Sequence, residues 1–158
     1  MSEDLTHLNA RGEARMVDVT GKDVTVREAT ARCRVTISAE VAGLLNSGGL
    51  PKGDALAVAR IAAIQATKRA PDLIPLCHPI AIHGVDVTVT VVDGPAVEIL
   101  ATVRTADRTG VEMEALTAAA VGGLAVIDMV KGRDRSAAIS EVVLLEKLGG
   151  RSGHWVRP

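Results

Sequence analysis

Residues 85–103 read VDVTVTVVDGPAVEILATV. Val85, Val87, Val89 and Val91 alternate strictly with polar residues, and side chains two apart share one face of a strand. Asp93-Gly94-Pro95 is a turn signal. Val97–Val103 resumes the alternation, so the segment predicts a β-hairpin with one apolar face.

Working outward, Val24–Ile37 (VTVREATARCRVTI) contains alternating β-branched stretches and predicts a strand. Ser38 is placed to cap a short helix, SAEVAGLLN, ended by Ser47-Gly48-Gly49. Pro51 opens a second helical stretch to about Arg69, whose apolar face is Leu56, Ala59, Ile61, Ala63 and Ile64. The following PDLIPLCHPI holds Pro71, Pro75 and Pro79 and predicts a rigid loop, because proline lacks an N–H and restricts its predecessor. Beyond the hairpin, Gly110 precedes a helical segment from Val111 to about Val130, and Ile139–Leu148 predicts a last strand ended by Gly149-Gly150. The order strand, helix, strand, strand, helix, strand is the split βαβ arrangement of a ferredoxin-like α+β sandwich, an antiparallel sheet with helices on one face. Residues 1–15, polar and charged, predict a mobile N-terminal arm before a single domain over 16–158.

A length of 158 residues fits one domain. With Phe 0, Tyr 0 and Trp 1, the core must be built from Ala, Val, Leu and Ile. Such side chains bury less area than aromatic ones, so a subunit interface is expected to supplement the core. The same scarcity argues against single-stranded nucleic-acid binding, which stacks bases on aromatic rings. A net charge of −1 gives no global pull on phosphate backbones, so an anion site must be a local cluster of Lys and Arg. Cys33 and Cys77 form no CxxC and fit two reduced thiols. The N-terminal MSEDLTHLNARGEAR lacks the apolar stretch of a signal peptide. The apolar run Ala115–Ile127 is shorter than the roughly 20 residues of a membrane span. A cytoplasmic, membrane-free protein is expected.

No P-loop, GxGxxG, HExxH or GxSxG occurs, and His7, His78, His83 and His154 lack metal-ligand spacing. Four features remain. In GVEMEALTAAAVGGLAVIDMVKG the middle is almost wholly small and apolar, so this helix is expected to be buried nearly all round. Its polar groups are Glu112 and Glu114 at one end, Asp128 and Lys131 at the other. Glu114 and Asp128 are then about 21 Å apart along the axis, so a site using both needs a long ligand or two subunits. Asp128 and Lys131, three apart, face each other. They form either a plain terminal ion pair, with the glutamates complementing the helix dipole, or a proton-transfer pair. The second feature, Leu76-Cys77-His78-Pro79, offers a histidine to an anion or a proton. Cys77 beside His78 is not a nucleophile–base pair, since adjacent side chains diverge. In the third, Leu50-Pro51-Lys52-Gly53-Asp54, either a phosphate sits on the helix start with Lys52, or Asp54 caps a helix and Lys52 is solvated. The fourth is the scattered cationic set Arg27, Lys147 and Arg151, with the glycine-rich GGRSG of residues 149–153.

Together the segments LTHLNARGEARMVDV, KGDALAVARIAAIQATKRAPDLIPLCHPI, TGVEMEALTAAAV, DMVKG and LLEKLGGRSG resemble cyclic pyranopterin monophosphate synthase, the MoaC family of molybdenum-cofactor biosynthesis, from about Leu5 to Gly153. The resemblance implies a ferredoxin-like fold assembled as a homohexamer, a trimer of dimers with active sites between subunits. It implies conversion of 3′,8-cyclo-7,8-dihydroguanosine 5′-triphosphate into cyclic pyranopterin monophosphate and pyrophosphate. By the same resemblance Asp128 and Lys131 are the catalytic pair. Leu76, Cys77, His78, Met113 and Glu114 line the substrate site, and Lys52, Arg27, Lys147 and Glu112 are further functional positions. No resident cofactor or metal is expected; Mg²⁺ could arrive with the triphosphate, but no carboxylate cluster specifies it. Ile127 stands where the family commonly has tyrosine, Arg151 where it has lysine, and Gly132–Ser136 differs from the usual stretch.

Overall fold

A computed structural model describes residues 6–158. The predicted hairpin is strands β2 (Gly84–Val92) and β3 (Ala96–Asp107), paired antiparallel with Val89 opposite Ile99 and Val92 opposite Ala96. Gly94 takes φ 103° in the turn, a left-handed value that favours glycine. Strand β1 (Thr25–Thr36) joins the far edge of β3, and β4 (Ala138–Leu148) joins β1. A two-residue β5 (Trp155–Val156), which the sequence reading lacked, pairs with Glu146 and Lys147. The sheet order β2-β3-β1-β4-β5 is antiparallel throughout and carries the ferredoxin-like connection across its first four positions.

Helices α1 (Ala39–Ser47), α2 (Ala55–Thr67), α3 (Ala70–Leu73) and α4 (Glu112–Val130) separate the strands. Ser38 caps α1 by accepting from the Val41 amide, and Asp54 caps α2 by accepting from Ala57. The second helical stretch therefore starts at Ala55 rather than Pro51. Pro71 is helical, against the expected loop, because it sits in the first turn of α3, where its missing N–H is not needed. The expected arm is residues 1–15. Residues 1–5 lie outside the described residues, but His7–Arg15 closes a tight turn: Leu8 bridges Ala14, and the Asn9 side chain accepts from the Arg11 and Glu13 amides.

Helix α4 lies on β1 and β3, with α2 beside it. Ala115, Ala118, Ala119, Val126 and Val130 face inward against Ala29, Ala31, Cys33, Val35, Ile99 and Ala101. A methyl group added at Gly122 would stand 3.2 Å from the Ile99 side chain, and one at Gly123 would stand 2.5 Å from the Cys33 sulfur. Two glycines thus let helix and sheet approach closely, and the alanines of α2 (Ala55, Ala59, Ala63 and Ala66) pack the remaining space without aromatic rings. Helix α4 is long and apolar enough to cross a membrane, yet it is laid across the sheet. It is not buried all round. Leu124 is 57% exposed, and with Ile61 and Leu73 it leaves an apolar outer helix surface, because a two-layer sandwich covers only one side of its helices.

Gly123→Ala is expected to lose about 1–3 kcal/mol by overpacking. Gly43→Ala, on exposed α1 where an added methyl meets nothing within 4 Å, should gain about 0.5–1 kcal/mol. Urea titration of both variants checks the pair; a Gly123→Ala midpoint equal to the parent's would refute the tight contact.

Candidate active site

The N-terminal end of α4 opens into a cavity of about 300 Å³, walled by Thr6, His7, Val17, Val19 and Lys22, by the Leu76–His78 loop, and by Thr109, Gly110 and Glu112–Glu114. Glu114, in the first helical turn, is only 1% exposed. Its Oε1 accepts from the Cys77 thiol at 3.3 Å, and its Oε2 has no partner. Burial raises the carboxyl above its ordinary range. Burial first, then the Glu114 charge, pushes the Cys77 thiol up to about 12, so Cys77 is a hydrogen-bond donor and not a thiolate nucleophile.

His78 Nε2 lies 2.6 Å from the Val17 carbonyl. A carbonyl only accepts, so Nε2 carries the proton and the ring pins the 16–19 segment over the cavity. Met113 reaches the lining from α4, and Leu76 completes the loop wall. Glu112 Oε1 pairs with Lys147 Nζ at 3.2 Å, since β4 brings Lys147 up beside β1 at this end of the molecule. Arg27 lies next along the same end. Its guanidinium donates to the carbonyls of Asp107 and Arg108; Gly150, at φ 75°, leaves room for the guanidinium, and Gly149, at φ 90°, lies against the Val26 carbonyl and the base of the Arg27 side chain. Arg27 and Arg151 border a second depression, which shares Lys22 with the main cavity.

The other end of α4 is exposed. Lys131 Nζ pairs with Asp128 Oδ1 at 2.7 Å, and Lys52 Nζ donates to the Asp128 carbonyl at 2.8 Å while standing 3.8 Å from Oδ2. The hydrogen bond from Lys131, then its charge and that of Lys52, hold the Asp128 carboxyl below its usual range. Lys52, Lys131, Gly132 and Arg135 surround a hollow of about 370 Å³. The capping reading of the Lys52 segment is amended in part: Asp54 caps α2 as expected, but Lys52, half-exposed, is bonded to α4.

Within one chain, then, Leu76, Cys77, His78, Glu112, Met113, Glu114 and Lys147 gather at one end of α4, with Arg27 beside them. Lys52, Asp128 and Lys131 gather at the other, about 21 Å along the axis. His7, Val17, Lys22 and Thr109 also line the cavity, and Arg135 the far hollow. None of these was read as a site residue from the sequence, because each reaches its site through loop closure that no spacing rule reveals. Among the described residues no three His, Cys, Asp or Glu side chains converge to hold a metal ion.

The unpartnered buried carboxyl has a measurable consequence. Because its native pKa is raised, the stability it contributes is complete below the unfolded value near 4.5 and is lost as pH rises through the native value. Glu114→Gln, keeping the acceptor for Cys77 and removing the charge, should be more stable than the parent by about 1–3 kcal/mol at pH 8. It should also lack the parent's loss of stability above pH 4.5. Denaturant midpoints from pH 4 to 9 test this; a variant less stable at pH 8 would disprove it.

Comparison with known proteins shows the family. The sequence pattern described as the MoaC family matches residues 16–150. A protein of Streptomyces avermitilis named cyclic pyranopterin monophosphate synthase is 61% identical over 153 residues, covering 97% of this chain and 89% of that protein. One of a Nocardioides species with the same name is 58% identical over 156 residues, covering 98% and 96%. A Mycobacterium tuberculosis protein named cyclic pyranopterin monophosphate synthase 2 is 54% identical over 156 residues, covering 99% and 93%. With a family pattern spanning most of the fold and relatives this similar along nearly their whole length, the chain belongs to the MoaC family.

Proposed function

We propose that this chain is a cyclic pyranopterin monophosphate synthase, a lyase of molybdenum-cofactor biosynthesis. It converts 3′,8-cyclo-7,8-dihydroguanosine 5′-triphosphate into cyclic pyranopterin monophosphate and pyrophosphate. The observation that carries the mechanism is the division of charge along α4: a cavity with the buried carboxyl of Glu114 at one end, and the Asp128–Lys131 pair with Lys52 at the other. A ligand with a ring system and a triphosphate asks for both environments.

The reaction opens and re-closes a purine-derived ring system and cyclises a phosphate. These steps require protons to be moved and phosphate charge to be neutralised. Lys131 donates or accepts the proton. Asp128, held ionised, orients its ammonium at 2.7 Å. Lys52 stands against the same carboxylate and offers its charge to the phosphates. In the cavity His78, Glu112 and Glu114 hold the ring system, while Arg27 and Lys147 add positive charge at its rim. The chemistry asks for no resident cofactor, and Mg²⁺ enters only with the triphosphate. The two half-sites meet between protomers of a homohexamer built as a trimer of dimers, and the exposed apolar face of α2 and α4 gives such an assembly surface to cover. The free thiols of Cys33 and Cys77 suit a reducing cytoplasm.

Lys131→Ala is expected to fold, assemble and bind substrate, yet release pyrophosphate at least about a hundredfold more slowly, as loss of a general acid–base group does. Pyrophosphate release and pterin fluorescence after oxidation are the readouts; near-parental turnover would sink the assignment. The shared site predicts complementation: Glu114→Ala and Lys131→Ala chains, each inactive alone, recover about a quarter of the sites when co-expressed, because random mixing reunites intact halves. Monomers in light scattering, or hybrids without activity, would rule out sharing.

A further inference from the structure

Among the described residues the only buried acids are Glu114 and Asp134, at 1% and 6% exposure. They differ in every other respect. Glu114 leaves one buried oxygen without a partner, whereas both oxygens of Asp134 are bonded. Its Oδ2 accepts from the Ser38 amide at 2.7 Å, and its Oδ1 accepts from the Ser136 amide at 2.9 Å and the Ser136 hydroxyl at 2.6 Å. The amides of Arg133 and Asp134 in turn donate to the Val130 carbonyl at 2.8 and 2.9 Å. The turn after α4 is thereby wound onto the helix end and stapled across to the start of α1.

Lys131 sits inside this construction. Its side chain is 59% exposed, and its charged contact is the one with Asp128. Packing does little to hold it, so its position is set by the backbone on either side. Before it, Lys52 grips the Asp128 carbonyl; after it, Asp134 grips Ser38. Both ties come from residues 38–52, so one stretch of chain holds the lysine-bearing turn from two directions. A surface turn closes without a buried carboxylate, and an ionised carboxylate is expensive to bury unless several donors meet it. Here those donors are all backbone amides and one hydroxyl of the two segments being joined.

We propose that Asp134 is a positioning residue for Lys131, locking the turn that carries the amine so that the ammonium is presented in one place. The inference rests on reading Lys131 as the proton-transfer group. It extends that reading to a residue that touches neither the cavity nor the hollow.

The test compares Asp134→Ala and Asp134→Asn with the full-length parent, well below the unfolding temperature of each. Asp134→Ala is expected to assemble normally and to lose about tenfold or more in kcat with KM nearly unchanged, because a displaced proton donor slows chemistry more than binding. Asp134→Asn, which keeps an acceptor for Ser136 but not for Ser38, should fall between. A turn that serves stability alone would lower the unfolding temperature and leave kcat of the folded protein within about twofold, and that result overturns the proposal. If Asp134→Ala does not fold, Asp134→Asn decides by the same criterion. If the parent itself releases no pyrophosphate, the proposed function fails separately. The positioning role is then read from acylation of Lys131 by an amine-reactive ester, relative to exposed Lys68. Faster Lys131 labelling in the variant upholds it, and an unchanged ratio removes it.

Discussion

The constraint on which the rest depends is the distance between α4 and the sheet. A chain with no Phe or Tyr cannot fill a wide interlayer space, and dispersion contacts fade within fractions of an ångström of separation. The solution is to close the gap. Gly122 and Gly123 bring the α4 backbone down onto Ile99 and Cys33, and alanines fill α2 alongside. The same helix that forms the centre of the core also carries the candidate polar groups at its two ends. Its rigidity therefore serves two purposes at once, because the spacing between Glu114 and Asp128 is as fixed as the core itself.

The hairpin, the split βαβ order and the long helix were legible because they rest on local periodicity. Val85–Val91 and Val97–Val103 could be assigned from alternation alone, and pairing them antiparallel follows from a three-residue turn. What failed was non-local. The two residues of β5 carry no period, and they become a strand only because the edge of β4 is there to receive them. Pro71 reads as a helix breaker unless its place in a first turn is known. The covering of α4 was overestimated, since a nearly uniform apolar helix does not announce which of its sides the sheet will take.

The candidate site divides along the same line. Asp128 and Lys131 were readable as neighbours from a spacing of three, and the structure places them in contact. The Cys77–Glu114 contact and the Glu112–Lys147 pair span 37 and 35 positions and could not be read from spacing. Lys22 and His7 arrive at the cavity through the closed turn and the His78–Val17 tie, neither of which leaves a trace in composition. The candidate positions in these distant segments were accessible through family resemblance, which covers nearly the whole chain, rather than through residue patterns.

The two carboxylates on α4 show how one helix supplies opposite proton affinities. The helix N-terminus by itself favours ionisation, and Glu114 stands there; yet its native pKa is raised, so desolvation outweighs the dipole. Asp128 lies at the other terminus, where the dipole opposes a negative charge; yet its pKa is lowered, so Lys131 and Lys52 outweigh the dipole as well. In both cases the local partner or its absence decides, and the macrodipole does not. Pairs of titratable groups driven apart in this way mark a division of acid and base roles. Burial favours the neutral form of the Glu114 carboxyl, and cationic neighbours favour the charged form of Asp128. Neither shift could be exchanged for the other without moving the sheet, which buries Glu114, or the lysines, which surround Asp128, or both.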